Sequence, residues 1–231
     1  MNIPVGAHDL TFEASDVCGN VSNCITQITV HDVMSPTVIC NPTKLVSLVS
    51  NGTATVNASI FNNNSYDDCS NQIQFQARRI NDDCGGGTDW NNTVTFCCAD
   101  VGNPVEVELK VSDFSGNSNI CSSTVLVSDQ FAPNITCPTD VQISCGFDYS
   151  NISVFGTIVD NQANRMPIII NGETVGLDGI ATDNCSVNIE ELETSYDINN
   201  CGTGSFTRFF LATDPFGKTA SCIQNLSLIH I

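Results

Sequence analysis

Apolar and polar residues alternate along three short segments of the chain, and each segment runs into the same kind of turn. Residues 105–111 read Val-Glu-Val-Glu-Leu-Lys-Val, as expected for a strand with one buried face. Residues 10–14 and 206–212 occupy equivalent places, and an Asp-x-x-Gly turn follows each of the three segments. Because Gly tolerates a positive φ and Asp caps its own turn, the pattern predicts a β-hairpin at each place. The second strands of these hairpins are predicted at residues 25–30, 123–127 and 223–228.

The rest of the chain carries strand and turn signals and no helical ones. No segment of 12 or more residues has a convincing 3.6-residue hydrophobic period, and Gly, Pro and Asn punctuate the apolar runs. Many short strands separated by such turns are typical of a β-sandwich. The fold class predicted is therefore all-β.

The turn motif belongs to a longer repeat. A set of seven residues recurs 97 positions later, from 16 to 113 and onwards, and three of its members recur again after a further 101 positions. The first set is Asp16, Gly19, Asn20, Cys24, Asp32, Pro36 and Cys40, and the partial third set is Asp214, Gly217 and Cys222. A period of this length corresponds to one domain per repeat. We expect the C-terminal part of an incomplete repeat in residues 1–32, followed by two repeats in residues 33–130 and 131–231, with short Pro-containing linkers at both boundaries.

Net charge narrows the choice of partners. The 231 residues include 25 acidic and 7 basic side chains, for a net charge of −18. Such a chain repels nucleic acid and acidic lipid, so neither is expected as a partner. Cations, Ca²⁺ above all, or a basic surface are the charged partners expected; alternatively, the charge only keeps the protein soluble. No run of 18 apolar residues is present, so no membrane span is predicted.

Several short motifs occur in the order found in a known extracellular module. They are residues 4–16, Gly19-Asn20, Cys24, Cys137-Pro138, Asp183-Asn184-Cys185, Cys201-Gly202 and Ala212-Thr213-Asp214. The chain resembles the hyalin repeat (HYR), an immunoglobulin-like module, and the HYR-like repeats of very long surface proteins of Bacteroidetes. The resemblance implies tandem immunoglobulin-like β-sandwich domains in an extracellular adhesion or fibre role, and it places no catalytic residue here. The third copy departs from the pattern, with Phe216 in place of Cys18 and Lys218 in place of Asn20 and Asn117.

The 13 cysteines argue for an oxidising compartment, and no cysteine spacing typical of structural zinc is present. Sequence alone does not fix their connectivity. We expect bridges between the first and last strands of each repeat and three shorter ones; the pairs are Cys40–Cys121, Cys137–Cys222, Cys185–Cys201, Cys69–Cys98 and Cys84–Cys97. A bridge between Cys97 and Cys98 stays open as an alternative. Cys18 and Cys24 are expected to pair outside these two repeats, and Cys145 is a free thiol, an intermolecular link or an inert buried residue.

Acidic residues at equivalent positions form the candidate metal site. Asp32 and Asp129 stand at the two linkers, and Asp16, Asp113 and Asp214 stand at equivalent hairpin turns. Hard oxygen ligands at domain junctions suit Ca²⁺. The alternative for the hairpin residues is a turn-capping carboxylate that needs no metal. Asp183 is a weaker candidate.

These observations favour a structural segment of an extracellular fibre or large cell-surface adhesin. Its expected partners are other copies of the chain, joined head to tail, or surface glycans and proteins. The alternative is a carbohydrate- or protein-binding module at an adhesin tip, with residues 161–179 or the pair Tyr66 and Trp90 as the place to bind. No enzyme is expected, because the three histidines lie at positions 8, 31 and 230, and neither full repeat has a histidine before His230 to form a catalytic triad.

Overall fold

A computed structural model describes residues 3–69, 72–144, 147–148, 150–199 and 203–229. The described chain is built of β-strands, with four short 3₁₀ helices and no longer helix. It divides into two compact units, one of residues 1–46 and 55–127 and the other of residues 47–54 and 128–231. The predicted all-β class is confirmed, while the predicted domain boundaries stay a prediction.

The strands of the first unit are β1 (Gly6–Ser15), β2 (Val21–Val30), β3 (Thr43–Ser47), β4 (Thr53–Asn57), β5 (Gln74–Arg79), β6 (Thr93–Cys97), β7 (Val105–Ser112) and β8 (Ser118–Ser128), a few of whose end residues fall in the other unit. The strands of the second unit are β9 (Asn134–Thr136), β10 (Val141–Ser144), β11 (Ile158–Val159), β12 (Pro167–Ile170), β13 (Glu173–Leu177), β14 (Gly179–Thr182), β15 (Asn188–Glu191), β16 (Ser195–Ile198), β17 (Gly204–Thr213) and β18 (Thr219–Ile229). The 3₁₀ helices span Ala58–Phe61, Cys98–Asp100, Ile152–Phe155 and Gln162–Asn164.

The three predicted hairpins are present as β1–β2, β7–β8 and β17–β18, each antiparallel. Their turns contain Gly19, Gly116 and Gly217, whose φ angles are 86°, 97° and 88°. These angles lie in the left-handed region that glycine adopts without strain. The Asp-x-x-Gly motif therefore marks a real turn in all three copies.

The alternating pattern of β7 produces one buried face. Its four apolar residues Val105, Val107, Leu109 and Val111 are buried. The strand lies within a four-stranded sheet of order β3-β8-β7-β5, and a β4-β6 pair completes the repeat. Phe61 and Phe96, both with no exposed surface, are buried in the same unit. Burial of such large side chains is the main stabilising contribution to the repeat.

The second unit has a larger sheet of order β10-β18-β17-β15, with β16 also paired to β17. β10 runs parallel to β18, from Val141 opposite Leu226 to Ser144 opposite Ile229. A three-stranded sheet of order β11-β14-β9 and the hairpin β12–β13 complete the unit. Phe155, Phe206 and Leu226, all fully buried, lie at the centre of its core.

Candidate functional site: the disulfides and two acidic clusters

Two long-range disulfides close the two repeats. Cys40 is joined to Cys121 across 81 residues, and Cys137 is joined to Cys222 across 85 residues. Cys40 precedes β3 and Cys121 lies in β8, its neighbour in the sheet. Cys137 precedes β10 and Cys222 lies in β18, which are also neighbours. Each bridge therefore connects the beginning of a repeat to its last strand, in the pairs expected from the repeat.

A short disulfide between Cys84 and Cys97, 13 residues apart, lies beside a buried ion pair. The Arg79 guanidinium donates through Nη1 to Asp100 Oδ2 (2.7 Å) and through Nη2 to Asp100 Oδ1 (2.6 Å). Both residues are 2% exposed. In this bidentate ion pair, the buried positive charge of Arg79 and the buried negative charge of Asp100 compensate each other. Cys84, Cys97 and Asp100 lie close enough together to be considered as metal ligands. They do not form a metal site, because the two sulfurs are bonded to each other and Asp100 is paired with Arg79.

The expected Cys69–Cys98 bridge is wrong. Cys69 is an exposed free thiol, whereas Cys98 is disulfide-bonded. The Asp67 carboxylate accepts the Cys69 backbone N–H at 2.9 Å, and this turn keeps the thiol beside acidic side chains. Desolvation, followed by the charges of Asp32 and Asp67, raises the pKa of Cys69 above its ordinary value. The vicinal alternative is also excluded, since Cys97 is bonded to Cys84.

Five other cysteines have predicted roles, and two of them lie outside the described residues. Cys18 and Cys24 are free and exposed. Cys185 is disulfide-bonded, but Cys201 lies outside the described residues, so the Cys185–Cys201 pair stays a prediction. Cys145 also lies outside them.

Three carboxylates of the first repeat converge in what we call the first acidic cluster: Asp32, Asp67 and Asp113. One oxygen of each lies within 4.8 Å of the others. Asp32 is 9% exposed and Asp113 is 5% exposed. Asp32 Oδ1 accepts the Met34 backbone N–H at 3.0 Å, but its Oδ2 is buried and has no hydrogen-bond partner. A buried carboxylate oxygen without a partner is costly unless a cation approaches it.

Asn117 organises the first acidic cluster. Its backbone N–H donates to Asp113 Oδ1 at 2.8 Å, and its side-chain amide donates to Asp113 Oδ2 at 2.8 Å and to the Asp32 carbonyl at 3.2 Å. Burial acts to raise the pKa of Asp113. The hydrogen bonds from Asn117, Ser115 and Gly116 together outweigh burial and lower that pKa below its ordinary value. The Asp113 carboxylate is therefore charged at neutral pH.

The second acidic cluster lies at the corresponding positions of the next repeat. Asp129 and Asp183 converge there, and Asp214, the counterpart of Asp113, is linked to Asp129 through Lys218. Oxygens of Asp129 and Asp183 lie within 4.8 Å of each other. The Lys218 backbone N–H donates to Asp214 Oδ1 at 2.8 Å, and the Lys218 ammonium donates to the Asp129 carbonyl. Each of the three carboxylates has a buried oxygen with no hydrogen-bond partner: Asp129 Oδ2, Asp183 Oδ1 and Asp214 Oδ2. Asp129 and Asp214 are each 4% exposed.

The predicted candidates thus separate into two kinds. Asp32 and Asp113 come together as expected, and Asp129 joins the equivalent cluster. Asp16 does not join either cluster: it is exposed and accepts the N–H groups of Cys18 and Asn20, which is the turn-capping alternative. The hydrogen bonds from Asn20, above all that of its side chain, lower the pKa of Asp16.

Sequence reasoning missed Asp67 as a member of the site and gave Asp183 too little weight. The missed signal was the Asp-x-Cys spacing shared by residues 67–69 and 183–185. In both copies the carboxylate accepts the backbone N–H of the cysteine two residues later, at 2.9 and 3.0 Å. This turn fixes the carboxylate and so allows it to face the linker aspartate.

The two places considered for ligand binding have other structural partners. The Trp90 ring is covered by the Arg78 guanidinium at 4.5 Å from its centroid. Residues 161–179 contain the β12–β13 hairpin, whose Ile168 and Ile170 enter the core of the second unit. That segment contains no aromatic residue.

Comparisons with known proteins find fold-level likeness only. No protein-family model matches the chain, and no curated protein matches it. Solved structures with related folds include Drosophila OTK extracellular domains 3–5 (10% identity, 86% of this chain and 66% of that chain, TM-score 0.31). Others are protocadherin gamma C5 EC1–3 (10% identity, 96% and 77%, TM-score 0.37) and the N-terminal four Ig domains of Dscam1 isoform 6.9 (10% identity, 92% and 52%, TM-score 0.35).

This chain spans less than two thirds of the OTK and Dscam1 structures. At these TM-scores the likeness supports no inference about its function. Within the described residues, no helix has the length and hydrophobicity required to cross a membrane.

Proposed function

We propose that the chain is a segment of an extracellular adhesion-type array, in a fibre or a large surface adhesin, made of immunoglobulin-like repeats. The observation that carries the proposal is the pair of disulfides, Cys40–Cys121 and Cys137–Cys222, that each tie the beginning of a repeat to its last strand. Such bridges persist in oxidising compartments outside the cell. In this role the protein transmits tension and has no catalytic activity.

The mechanical proposal follows from where the bridges lie. When the two ends of a repeat are pulled apart, the load passes through the sulfur–sulfur bond before the enclosed residues can extend. The enclosed loops contain 81 and 85 residues. At about 3.5 Å per extended residue they store about 280 and 300 Å of length.

Pulling the full chain from its two ends in a single-molecule force experiment tests this. We expect reducing agent to add steps of about 280 and 300 Å to the unfolded length. Without reductant, the variant Cys40→Ala should extend its first repeat by a step shorter than about 280 Å, because the Cys84–Cys97 bridge still closes 13 residues, or about 45 Å. The step of the second repeat should still need reductant. Equal unfolded lengths with and without reductant in the native chain would refute the mechanical role.

Other copies of the chain are the partners we propose, with surface glycans or proteins as the alternative. The net charge of −18 makes uncontrolled association unfavourable and leaves specific contacts to join copies. Electron microscopy of the purified protein should show head-to-tail assemblies. Only dispersed single molecules across a wide concentration range would exclude the fibre, and glycan-array binding would then decide for the adhesin tip.

We also propose that the two acidic clusters bind Ca²⁺. Ca²⁺ prefers carboxylate and carbonyl oxygens and tolerates irregular geometry. In each repeat the cluster combines carboxylates from a linker, an Asp-x-Cys turn and a hairpin turn, and a bound ion would compensate the buried oxygens that lack partners. Calorimetric titration of the EDTA-treated protein with CaCl₂ should give binding, and the absence of any binding heat would contradict the calcium proposal.

A further inference from the structure

The two acidic clusters are equivalent in backbone but differ in one side chain. Four residues after the hairpin aspartate, the first repeat has Asn117 and the second has Lys218. Both residues donate their backbone N–H to that aspartate at 2.8 Å. Both side chains also reach the carbonyl of the linker aspartate, Asp32 in one repeat and Asp129 in the other. Asn117 and Lys218 therefore occupy equivalent positions, and the two clusters differ there in whether the side-chain donor is an amide or an ammonium group.

The change adds one positive charge to the second cluster. In the first cluster the Asn117 amide is neutral and satisfies Asp113 Oδ2 at 2.8 Å. In the second cluster an ammonium stands at that position, and the equivalent oxygen, Asp214 Oδ2, is buried without a partner. In the first repeat three carboxylates face a neutral donor. In the second, the Lys218 ammonium is bound to the Asp129 carbonyl, beside the converging Asp129 and Asp183, while its backbone N–H is bound to Asp214.

Buried oxygens without partners point to a ligand in both clusters. Asp32, Asp129 and Asp214 are each at least nine-tenths buried, and each has an oxygen without a hydrogen bond. Repulsion between carboxylates this close disfavours the folded repeat unless a cation lies among them. An ammonium bound to a neighbouring carbonyl reduces that repulsion, and it also repels an incoming divalent ion.

We propose that residue 117 or 218 sets the calcium affinity of its repeat, Lys218 acting as a built-in counter-ion that weakens Ca²⁺ binding in the second cluster. The inference rests on the proposed calcium binding. The two repeats then respond to different Ca²⁺ concentrations. The first cluster binds Ca²⁺ at low concentration, whereas in the second cluster Lys218 compensates the carboxylate charge until the Ca²⁺ concentration is high enough for the ion to bind. A unit positive charge about 6 Å from a divalent ion changes its affinity by about tenfold at the dielectric of water, and by more where the site is shielded from solvent.

Calorimetric titration of the full chain with CaCl₂, after EDTA treatment and dialysis, tests the inference. We expect two binding events in the native protein, separated by about tenfold or more in affinity. Lys218→Asn should strengthen the weaker event by about tenfold and leave the stronger one unchanged. Asn117→Lys should weaken the stronger event by a similar factor. Lys218→Gln, which removes the charge but keeps a long polar side chain, serves as the second variant and should act like Lys218→Asn.

The matched control is Asp16→Asn, which alters the same turn motif at an exposed site outside both clusters. It should leave both binding events unchanged. Circular dichroism establishes that each variant retains its strand signal before titration. A native protein without any binding heat overturns the calcium proposal itself. Binding events that are indifferent to both the Lys218 and the Asn117 substitutions overturn only the assignment of affinity to this position.

Discussion

Removing the Cys40–Cys121 bridge should cost the first unit more stability than removing the Cys84–Cys97 bridge. The two bridges close loops of 81 and 13 residues. A crosslink restricts the unfolded chain, and on the loop-entropy relation the two bridges contribute about 4.5 and about 2.9 kcal/mol at 25 °C. The double variants Cys40→Ala/Cys121→Ala and Cys84→Ala/Cys97→Ala should therefore differ by about 1.6 kcal/mol in the free energy of unfolding.

The chain contains a single tryptophan, Trp90, which lies in the first unit and makes the assay specific for it. Its ring is in contact with the Arg78 guanidinium, so unfolding should change its fluorescence. With a urea m-value of about 1.5 kcal/mol/M, the long-loop variant should unfold about 3 M earlier than the native protein and the short-loop variant about 2 M earlier.

Cys18→Ser is the appropriate control, because that thiol is free and exposed. It should leave the urea midpoint unchanged. A short-loop variant that unfolds at the same urea concentration as the long-loop variant, or earlier, would refute the argument from loop length.

Three further predictions concern other parts of the fold. Arg79→Met leaves a buried carboxylate without its partner and should destabilise the first unit by about 3 to 5 kcal/mol, measured by the same fluorescence titration; a loss under 1 kcal/mol would contradict the buried-pair argument. Gly116→Ala should lower the free energy of unfolding by about 1 to 2 kcal/mol. The cause is the backbone strain of an alanine at a φ of 97°, since no atom would clash with the added Cβ. Gly86→Ala, where φ is not positive, should lower it by less. Asn20→Ala should raise the pKa of Asp16 toward its ordinary value of 3.8 in an NMR titration, and an unchanged pKa would contradict the capping role. Since the folded pKa is the lower one, the Asp16 contribution to stability is present above pH 3.8 and is lost as the pH falls through the folded value.

The sequence was sufficient to predict the hairpins, because their signals are local. Alternation along residues 105–111 reports one buried face, and the Asp-x-x-Gly turn needs only its own backbone to form. The bridges from Cys40 and Cys137 were also accessible, since they recur at the same places in both repeats.

Predictions failed where the answer depended on residues far apart in the chain. The expected Cys69–Cys98 bridge failed because Cys69 is held in a turn beside acidic side chains and stays a free thiol. The acidic clusters combine a linker, an Asp-x-Cys turn and a hairpin turn, which no local pattern brings together. Asp16 carries the same hairpin motif as Asp113 and yet caps only its own turn.

The parallel pairing of β10 with β18 has a consequence for how the second unit yields when Cys137–Cys222 is reduced. The two strands are in register from Val141 opposite Leu226 to Ser144 opposite Ile229. Opposed pulling at the two ends of the unit slides parallel strands past each other, so their hydrogen bonds are loaded in shear and must break together, whereas an antiparallel hairpin pulled from its open end unzips one rung at a time. The reduced repeat should therefore unfold at a single, well-defined high force. After β10 and β18 separate, this pair of strands offers no further resistance to extension.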